Sequence, residues 1–311
     1  MPGSSPLPLP PSGAQHVIGH GRQVAVVTEV GATLRSYRVA DEAVVDGFDQ
    51  SELASGGRGQ VLAPWPNRLG DGRYSFEGRS GRAPLDEPER RNAIHGLVRW
   101  MPWWVESSAQ NVVVLACVLH PQPAYPWRLE LSVEYRLGRE GLTVVSRATN
   151  RSEGPAPLGV GFHPYLTVGP GGVDAMRLAL PARRRLVTDE RGLPTGDAAV
   201  AGTEFDFTGG RVIGPTRLDT AYSELSRGDN GMARVQVDHV DGGRGLTLWL
   251  DDAFRYVMAY TGDAVEPPGR RRQALALEPM TCPPDALRSG TDLVVLEPDA
   301  SWRGSWGITP R

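Results

Sequence analysis

Trp127-Arg128-Leu129-Glu130-Leu131-Ser132-Val133-Glu134-Tyr135-Arg136-Leu137 alternates at every position. Trp127, Leu129, Leu131, Val133, Tyr135 and Leu137 are apolar, and the residues between them are charged or hydroxylic. Strand side chains point to opposite faces in turn, so this segment reads as a strand with one buried and one wet face. A sheet with a wet face is normally antiparallel. Gly138 to Gly141 supplies a turn, and Leu142 to Asn150 returns as the partner strand.

Further strands are predicted outward from this hairpin. Asn111 to His120 is β-branched. Asp71-Gly72 signals a hairpin before Arg73 to Glu77, and Asp241-Gly242-Gly243 does so before Leu246 to Leu250. Arg255 to Thr261 and Gln273 to Glu278 are strand candidates, and Leu293 to Glu297 with Ser301 to Ile308 reads as a closing pair. The best helical signal is Thr281 to Arg288, where Pro283 and Pro284 open a short turn of helix. The expected fold is all-β, a large antiparallel sandwich with few short helices.

The composition agrees. The 311 residues include 38 glycines and 27 prolines, too much punctuation for long helices. All 33 basic residues are arginine, which excludes Schiff-base, pyridoxal-phosphate and P-loop lysines. No composition break or internal repeat divides the chain. The expectation is a disordered leader over residues 1–15 and a single β-sandwich domain over 16–311. The leader lacks a basic segment followed by an apolar one, so it does not read as a signal peptide. No stretch approaches the length of a membrane span. Cys117 and Cys282 read as two reduced thiols, and the expected compartment is the cytoplasm.

Arg183 to Arg185 and Arg270 to Arg272 read as solvated faces, unless one triplet holds a phosphate. With no aromatic-rich basic face and a net charge of −3, nucleic-acid binding is not expected. Dinucleotide and nucleophile-elbow motifs are absent. Among the six histidines only His16 and His20 have the i, i+4 spacing of a helical zinc pair, and they fall at the leader. No metal or cofactor is expected.

Two segments place titratable groups in apolar strand context. In Gly161-Phe162-His163-Pro164-Tyr165, the proline biases His163 to extended backbone, and an imidazole at a strand end can give or take a proton. The alternative is a core histidine satisfied by a carbonyl. In Ala276-Leu277-Glu278-Pro279, a carboxylate closes an apolar strand, and desolvation raises its pKa toward that of a general base. The alternative is a buried ion pair with an arginine. Three weaker runs carry donors and acceptors for sugar hydroxyls. Trp65-Pro66-Asn67-Arg68 sets an amide and a guanidinium beside an aromatic, His95-Gly96-Leu97-Val98-Arg99 carries a second histidine, and Leu218-Asp219 supplies an acid or an Asx turn. The group Trp100, Trp103 and Trp104 reads as core.

The order Asn67-Arg68, His95-Gly96, His163-Pro164-Tyr165, Leu218-Asp219 and Leu277-Glu278-Pro279-x-Thr281 resembles that of the aldose 1-epimerases, the galactose mutarotase family. The resemblance runs from about Val24 to Gly307. It implies a supersandwich of the galactose-mutarotase type, needing neither metal nor cofactor, that interconverts the α and β anomers of a free hexose. By the same resemblance Glu278 matches the general base and His163 the general acid. His95 assists at the ring oxygen or binds hydroxyls, and Arg68, Asn67, Asp219 and Tyr165 join the sugar site. The expected partner is a small-molecule sugar, and the chain a monomer or homodimer. Two departures bear on the substrate. Leu166-Thr167 follows Tyr165 where galactose-type members often have Phe-Asn. His95-Gly96-Leu97-Val98-Arg99 also resembles the His-Gly-x-x-Arg run of hexose-6-phosphate epimerases, which would set Arg99 near a phosphate. The competing readings are therefore a hexose-6-phosphate 1-epimerase, a non-catalytic carbohydrate-binding sandwich, and a glycosidase pairing Glu278 with Asp219 or Asp251.

Overall fold

The computed structural model describes residues 10–311. Two large antiparallel sheets face each other across the main core. The nine-stranded sheet contains the decisive hairpin. Its order is Trp104–Ala109, Val112–Leu119, Leu129–Gly138, Gly141–Asn150, Ser301–Pro310, Gly245–Leu250, Ala233–His239, Met176–Ala179 and Arg211–Val212. Leu129, Leu131, Val133, Tyr135 and Leu137 are all buried, as the alternation requires, and the Tyr135 hydroxyl donates to the Ala32 carbonyl at 2.7 Å.

The twelve-stranded sheet carries the chemistry. Its middle runs Tyr165–Leu166, Leu275–Met280, Tyr256–Tyr260 and Asp219–Leu225, and short Gly161–Phe162 also pairs with Leu275–Met280. Leu275 and Leu277 point into the main core. Ala276 and Met280 alternate onto the opposite face, where each joins a small apolar cluster of its own. Glu278 shares that second face by the same period of two.

The structure differs from the sequence reading in several places. Residues 1–9 of the expected leader lie outside the described residues. From Pro10 the chain is held in place: Gly13 N–H bonds the Pro10 carbonyl, Ser12 is buried, and Gln15–His20 is a strand that includes His16 and His20. Residues 10–15 of the expected leader are therefore part of the folded structure. Asp71-Gly72 does not close a hairpin between its flanking strands. Arg68–Gly70 pairs instead with Asn92–Ile94, and Arg73–Phe76 with Arg79–Arg82. Val294–Leu296 pairs with Ala156–Leu158, not with the last strand. The helix is only Ala286–Ser289, and Pro283 and Pro284 precede it because Asp285, at φ 62°, starts it. Of the three tryptophans only Trp103 is core; Trp100 and Trp104 are about half exposed. Glu278 does not end its strand, which continues through Pro279 to Met280. Leu277 N–H donates to Pro164 O and Thr281 N–H to Val160 O along one edge. The Pro279 nitrogen falls between them, opposite Phe162 in that register, and being an imide it donates no bond there.

Leu131→Ala empties a site between the sheets and is expected to cost about 2–5 kcal/mol, whereas Arg136→Ala on the wet face costs under about 0.5 kcal/mol. Urea unfolding of both variants measures the contrast, and equal losses would contradict the assigned faces.

Candidate active site

A cleft of about 560 Å³ opens on the second face of the twelve-stranded sheet. Asn67, Arg68, His95, His163, Asp219 and Glu278 all line it. Segments distant in sequence meet there because neighbouring strands of the sheet carry them. Glu278 lies opposite Met258 in the ladder, and Asp219 opposite Tyr260 one strand further on. His163 sits in the break between Gly161–Phe162 and Tyr165–Leu166.

The central contact is between His163 Nε2 and Glu278 Oε1, 3.3 Å apart. Both side chains are buried, and Glu278 Oε2 and His163 Nδ1 have no hydrogen-bond partner. Burial pushes the Glu278 carboxyl well above its ordinary range; nearby Asp219 adds to this and Arg68 opposes it. Burial also pushes His163 down to about 3, with the charges of Arg58 and Arg99 in support. Both effects disfavour separated charges, so burial favours the neutral form of the pair, a carboxylic acid beside an imidazole. Neither bland reading of the sequence describes this contact. Glu278 faces an imidazole instead of an arginine, and His163 Nε2 faces a carboxyl instead of a carbonyl.

His95 and Asn67 brace each other. Asn67 N–H donates to His95 Nδ1 at 3.2 Å, and His95 N–H donates to Asn67 O at 2.9 Å. Burial holds the His95 pKa well below its ordinary value, with His163, Arg99 and Arg68 acting in the same sense. The ring is thus neutral with Nδ1 accepting, so Nε2 carries the proton and can donate. Asn67 (φ 57°), His95 (φ 66°) and Gly96 (φ 72°) are all left-handed. A Cβ on Gly96 would stand 2.1 Å from the Ala63 carbonyl oxygen, which is why glycine follows the histidine.

Arg68 enters from the end of Arg68–Gly70. Its guanidinium makes a forked contact with Glu87, with Nε to Oε2 at 3.0 Å, and Nη1 lies 3.6 Å from Asp219 Oδ2. Burial works against its charge, but Asp219 and Glu87 outweigh that and raise its pKa. Asn92 Nδ2 holds Glu87 from behind at 2.7 Å. Glu87 escaped the sequence reading because Asp86-Glu87-Pro88-Glu89-Arg90-Arg91 looks like a solvated loop. Tyr260 and Asp263, which also line the cleft, carried no local signal either.

Two expected sugar contacts lie elsewhere. Tyr165 is buried behind His163, its ring stacked on the imidazole at 5.0 Å and its hydroxyl donating to Gly56 O. Arg99 is paired with Asp86 at 2.5 Å, its side chain only 12% exposed, and does not line the cleft. The arginine triplets do not line it either. Arg183 and Arg184 pair with Glu224 and Asp197, Arg185 covers Phe205, and Arg270, Arg271 and Arg272 pair with Asp46, Glu266 and Asp174. Trp65 is core, and Asp251 is occupied by the Ser305 N–H and hydroxyl. Cys117 and Cys282 are both free and buried. No group of three metal-ligating side chains occurs among the described residues, and no described helix is long and apolar enough to cross a membrane. A larger groove, about 780 Å³, lies beyond the wall where Asp285 N–H bonds Arg68 O. None of the unpartnered buried polar atoms belongs to its lining, and no histidine faces it.

Two outcomes follow from this geometry. Gly96→Ala forces both a left-handed alanine and a backbone clash, so a loss of about 3 kcal/mol or more is expected in thermal unfolding. Glu278 keeps its proton in the folded chain where the unfolded chain, at the ordinary 4.5, has released it. This favours folding below about pH 4.5 and is lost as pH rises toward the folded pKa, at up to ~1.4 kcal/mol per pH unit. The stability of Glu278→Gln relative to the parent should therefore grow between pH 5 and pH 7 in urea titrations. A difference independent of pH would contradict the neutral resting pair.

Residues 15–309 match the family described as aldose 1-epimerase. YihR, an uncharacterized protein of Escherichia coli K12, is 32% identical over 287 residues, covering 92% of this chain and 90% of that protein. The GalM/aldose epimerase homologue of Caenorhabditis elegans has a similar structure, with a TM-score of 0.84 at 19% identity over 96% of this chain and 99% of that one. Galactose 1-epimerase of Lactobacillus acidophilus gives 0.79 at 18% identity, over 95% and 94%. At these identities the structural matches speak for the fold, which is the expected galactose-mutarotase sandwich. With residues 15–309 matched to the family and its fold present, the chain belongs to the aldose 1-epimerase family.

Proposed function

We propose that the chain interconverts the α and β anomers of a free, unphosphorylated hexose, with Glu278 as base and His163 as acid. The observation that carries this reading is the 3.3 Å approach of Glu278 Oε1 and His163 Nε2 on the floor of the cleft. In a pyranose the anomeric hydroxyl and the ring oxygen are bonded to the same carbon. Two groups this close can each reach one of them.

The pair holds one proton at rest. Moving it from Glu278 to His163 creates base and acid together without gain or loss of protons. A sugar favours that form, because its O1–H donates to the carboxylate and its ring oxygen accepts from the imidazolium. Glu278 then takes the O1 proton, His163 gives its proton to the ring oxygen, and the bond from C1 to the ring oxygen breaks. The open aldehyde turns about C1–C2. Closure on its other face returns both protons and leaves the opposite anomer. His95 Nε2–H, Arg68 and Asp219 face the same space and are suited to hold hydroxyls; Asn67 acts through His95.

The charges of the cleft support a neutral sugar. Arg68 is held by Glu87 and Asp219, Arg90 lies 3.8 Å from Glu87, and Arg217 lies 3.7 Å from Asp263. Arg99, on which the phosphohexose reading relied, is held by Asp86. The glycosidase reading loses Asp251 to Ser305. A binding-only sandwich does not call for a buried carboxyl against an imidazole. The two free thiols support a reducing compartment, and the cytoplasm is the proposed location.

Polarimetry on freshly dissolved α-D-glucose and α-D-galactose tests the reading. The protein should speed the approach to equilibrium, and Glu278→Gln should lower kcat by about 10²–10⁴. No acceleration of either sugar, or full activity in the variant, would overturn it. Acceleration confined to glucose 6-phosphate would establish the phosphohexose reading instead.

A further inference from the structure

Arg58 is the most buried arginine in the described chain, 1% exposed, and it lies outside the cleft. Its Nη2 pairs with Asp46 Oδ2 at 3.1 Å and its Nε donates to Asp46 O at 3.1 Å. Its guanidinium carbon stands 4.3 Å from the centroid of the Tyr165 ring. That ring in turn stacks on His163, with centroids 5.0 Å apart and planes 13° apart. The segment around Arg58 wraps the same histidine. Gly59 N–H donates to His163 O at 2.8 Å, His163 N–H donates to Gln60 O at 3.1 Å, and Tyr165 Oη donates to Gly56 O at 3.0 Å. A Cβ on Gly57 would stand 2.5 Å from His163 Cδ2. The imidazole is held by stacking, since its Nδ1 has no hydrogen-bond partner to fix the ring plane.

We propose that Arg58 is a positioning residue for anomer interconversion: its guanidinium, anchored by Asp46, holds the Tyr165 ring against His163 and opposes positive charge on the imidazole. This rests on the reading of His163 as the acid. An imidazolium placed one ring away from a fixed, fully desolvated cation gives up its proton more readily. Tyr165 is then a spacer, which accounts for an aromatic two residues after the histidine that never reaches the cleft.

The other groups around His163 are Glu278 at 3.3 Å, His95 in edge contact at 5.3 Å, and Arg99, whose charge acts in the same sense as that of Arg58. Arg68 and Asp219 act on the pair through Glu278, with opposite signs. None of these changes when Arg58 is replaced. Asp46 keeps Arg270 at 3.8 Å, so it is not left without a cation.

The test is the pH profile of kcat for Arg58→Met, Arg58→Lys and Tyr165→Leu, with KM and thermal stability measured alongside. Removing the cation makes the Glu278–His163 pair hold protons more tightly. Arg58→Met should move both limbs of the profile to higher pH, by about one pH unit, and lower kcat about tenfold at nearly constant KM. Arg58→Lys restores the charge and should return the limbs to their original place. Tyr165→Leu leaves the Arg58–Asp46 pair in place and should also lower kcat more than KM changes. If Arg58→Met does not fold, an unaltered kcat in Tyr165→Leu still overturns the proposal. So does an Arg58→Met profile with unmoved limbs, or activity that only tracks thermal stability. His163→Ala separates the two failures: full activity there would remove the acid assignment itself, whereas an inactive His163→Ala beside an unaffected Arg58→Met would remove only the role of Arg58.

Discussion

A carboxyl and an imidazole that share one proton in a buried site are the constraint around which this structure is arranged. Exposed to water, Glu278 would be an ordinary carboxylate and His163 an ordinary histidine, and a proton would pass between them and solvent. Burial limits that exchange and sets the two groups directly against each other. The cost is an unpartnered Oε2 and an unpartnered Nδ1, both inside the protein. A fold selected for stability alone would satisfy those atoms. A site that must pass a proton to a sugar and recover it gains from leaving them open.

Much of the surrounding structure maintains this condition. The strand Leu275–Met280 is buried on both faces, with Leu275 and Leu277 in the main core and Ala276 and Met280 in two satellite clusters. Those clusters lie to either side of Glu278 along the strand and keep water from its flanks. Pro279, opposite Phe162, donates no bond on the edge where His163 stands, and pairing there is carried by the N–H groups of Leu277 and Thr281. Across the cleft, left-handed Asn67 and His95 lock each other, and Gly96 lets the backbone pass the Ala63 carbonyl.

The arginines divide the remaining work. Arg68 alone among them combines burial with a place at the cleft floor, and Glu87 and Asp219 hold it in register. Arg58 and Arg99 lie behind the histidines, each anchored by an aspartate, and their charges act on His163. Arg183 and Arg184 tie the strand Ala182–Thr188 to its two neighbours, and Arg270, Arg271 and Arg272 fasten a loop. A chain without lysine uses one side-chain type for all these tasks, and the fork of the guanidinium suits it to anchored, low-mobility roles.

The fold class was legible in the sequence because strand alternation is a local property, as Trp127 to Leu137 shows, and because glycine and proline mark turns where they occur. The titratable pair was legible as well. A histidine and a glutamate, each followed by proline inside an apolar run, stand out without any knowledge of their neighbours, and the order of the short motifs identified the family. Pairing was not legible where it joins distant segments. Asp71-Gly72 looks like a hairpin turn, but Arg68–Gly70 finds its partner at Asn92–Ile94, and Val294–Leu296 finds Ala156–Leu158. That Tyr165 and Arg99 lie behind the cleft was not legible for a related reason. Sequence neighbourhood cannot tell a side chain facing the cleft from one packed behind it, since that depends on which face of the sheet its strand presents. Glu87, Arg58 and the unpartnered atoms of the Glu278–His163 pair belong wholly to the tertiary structure. Their properties come from burial and from contacts across the fold, and neither exists until the two sheets have closed.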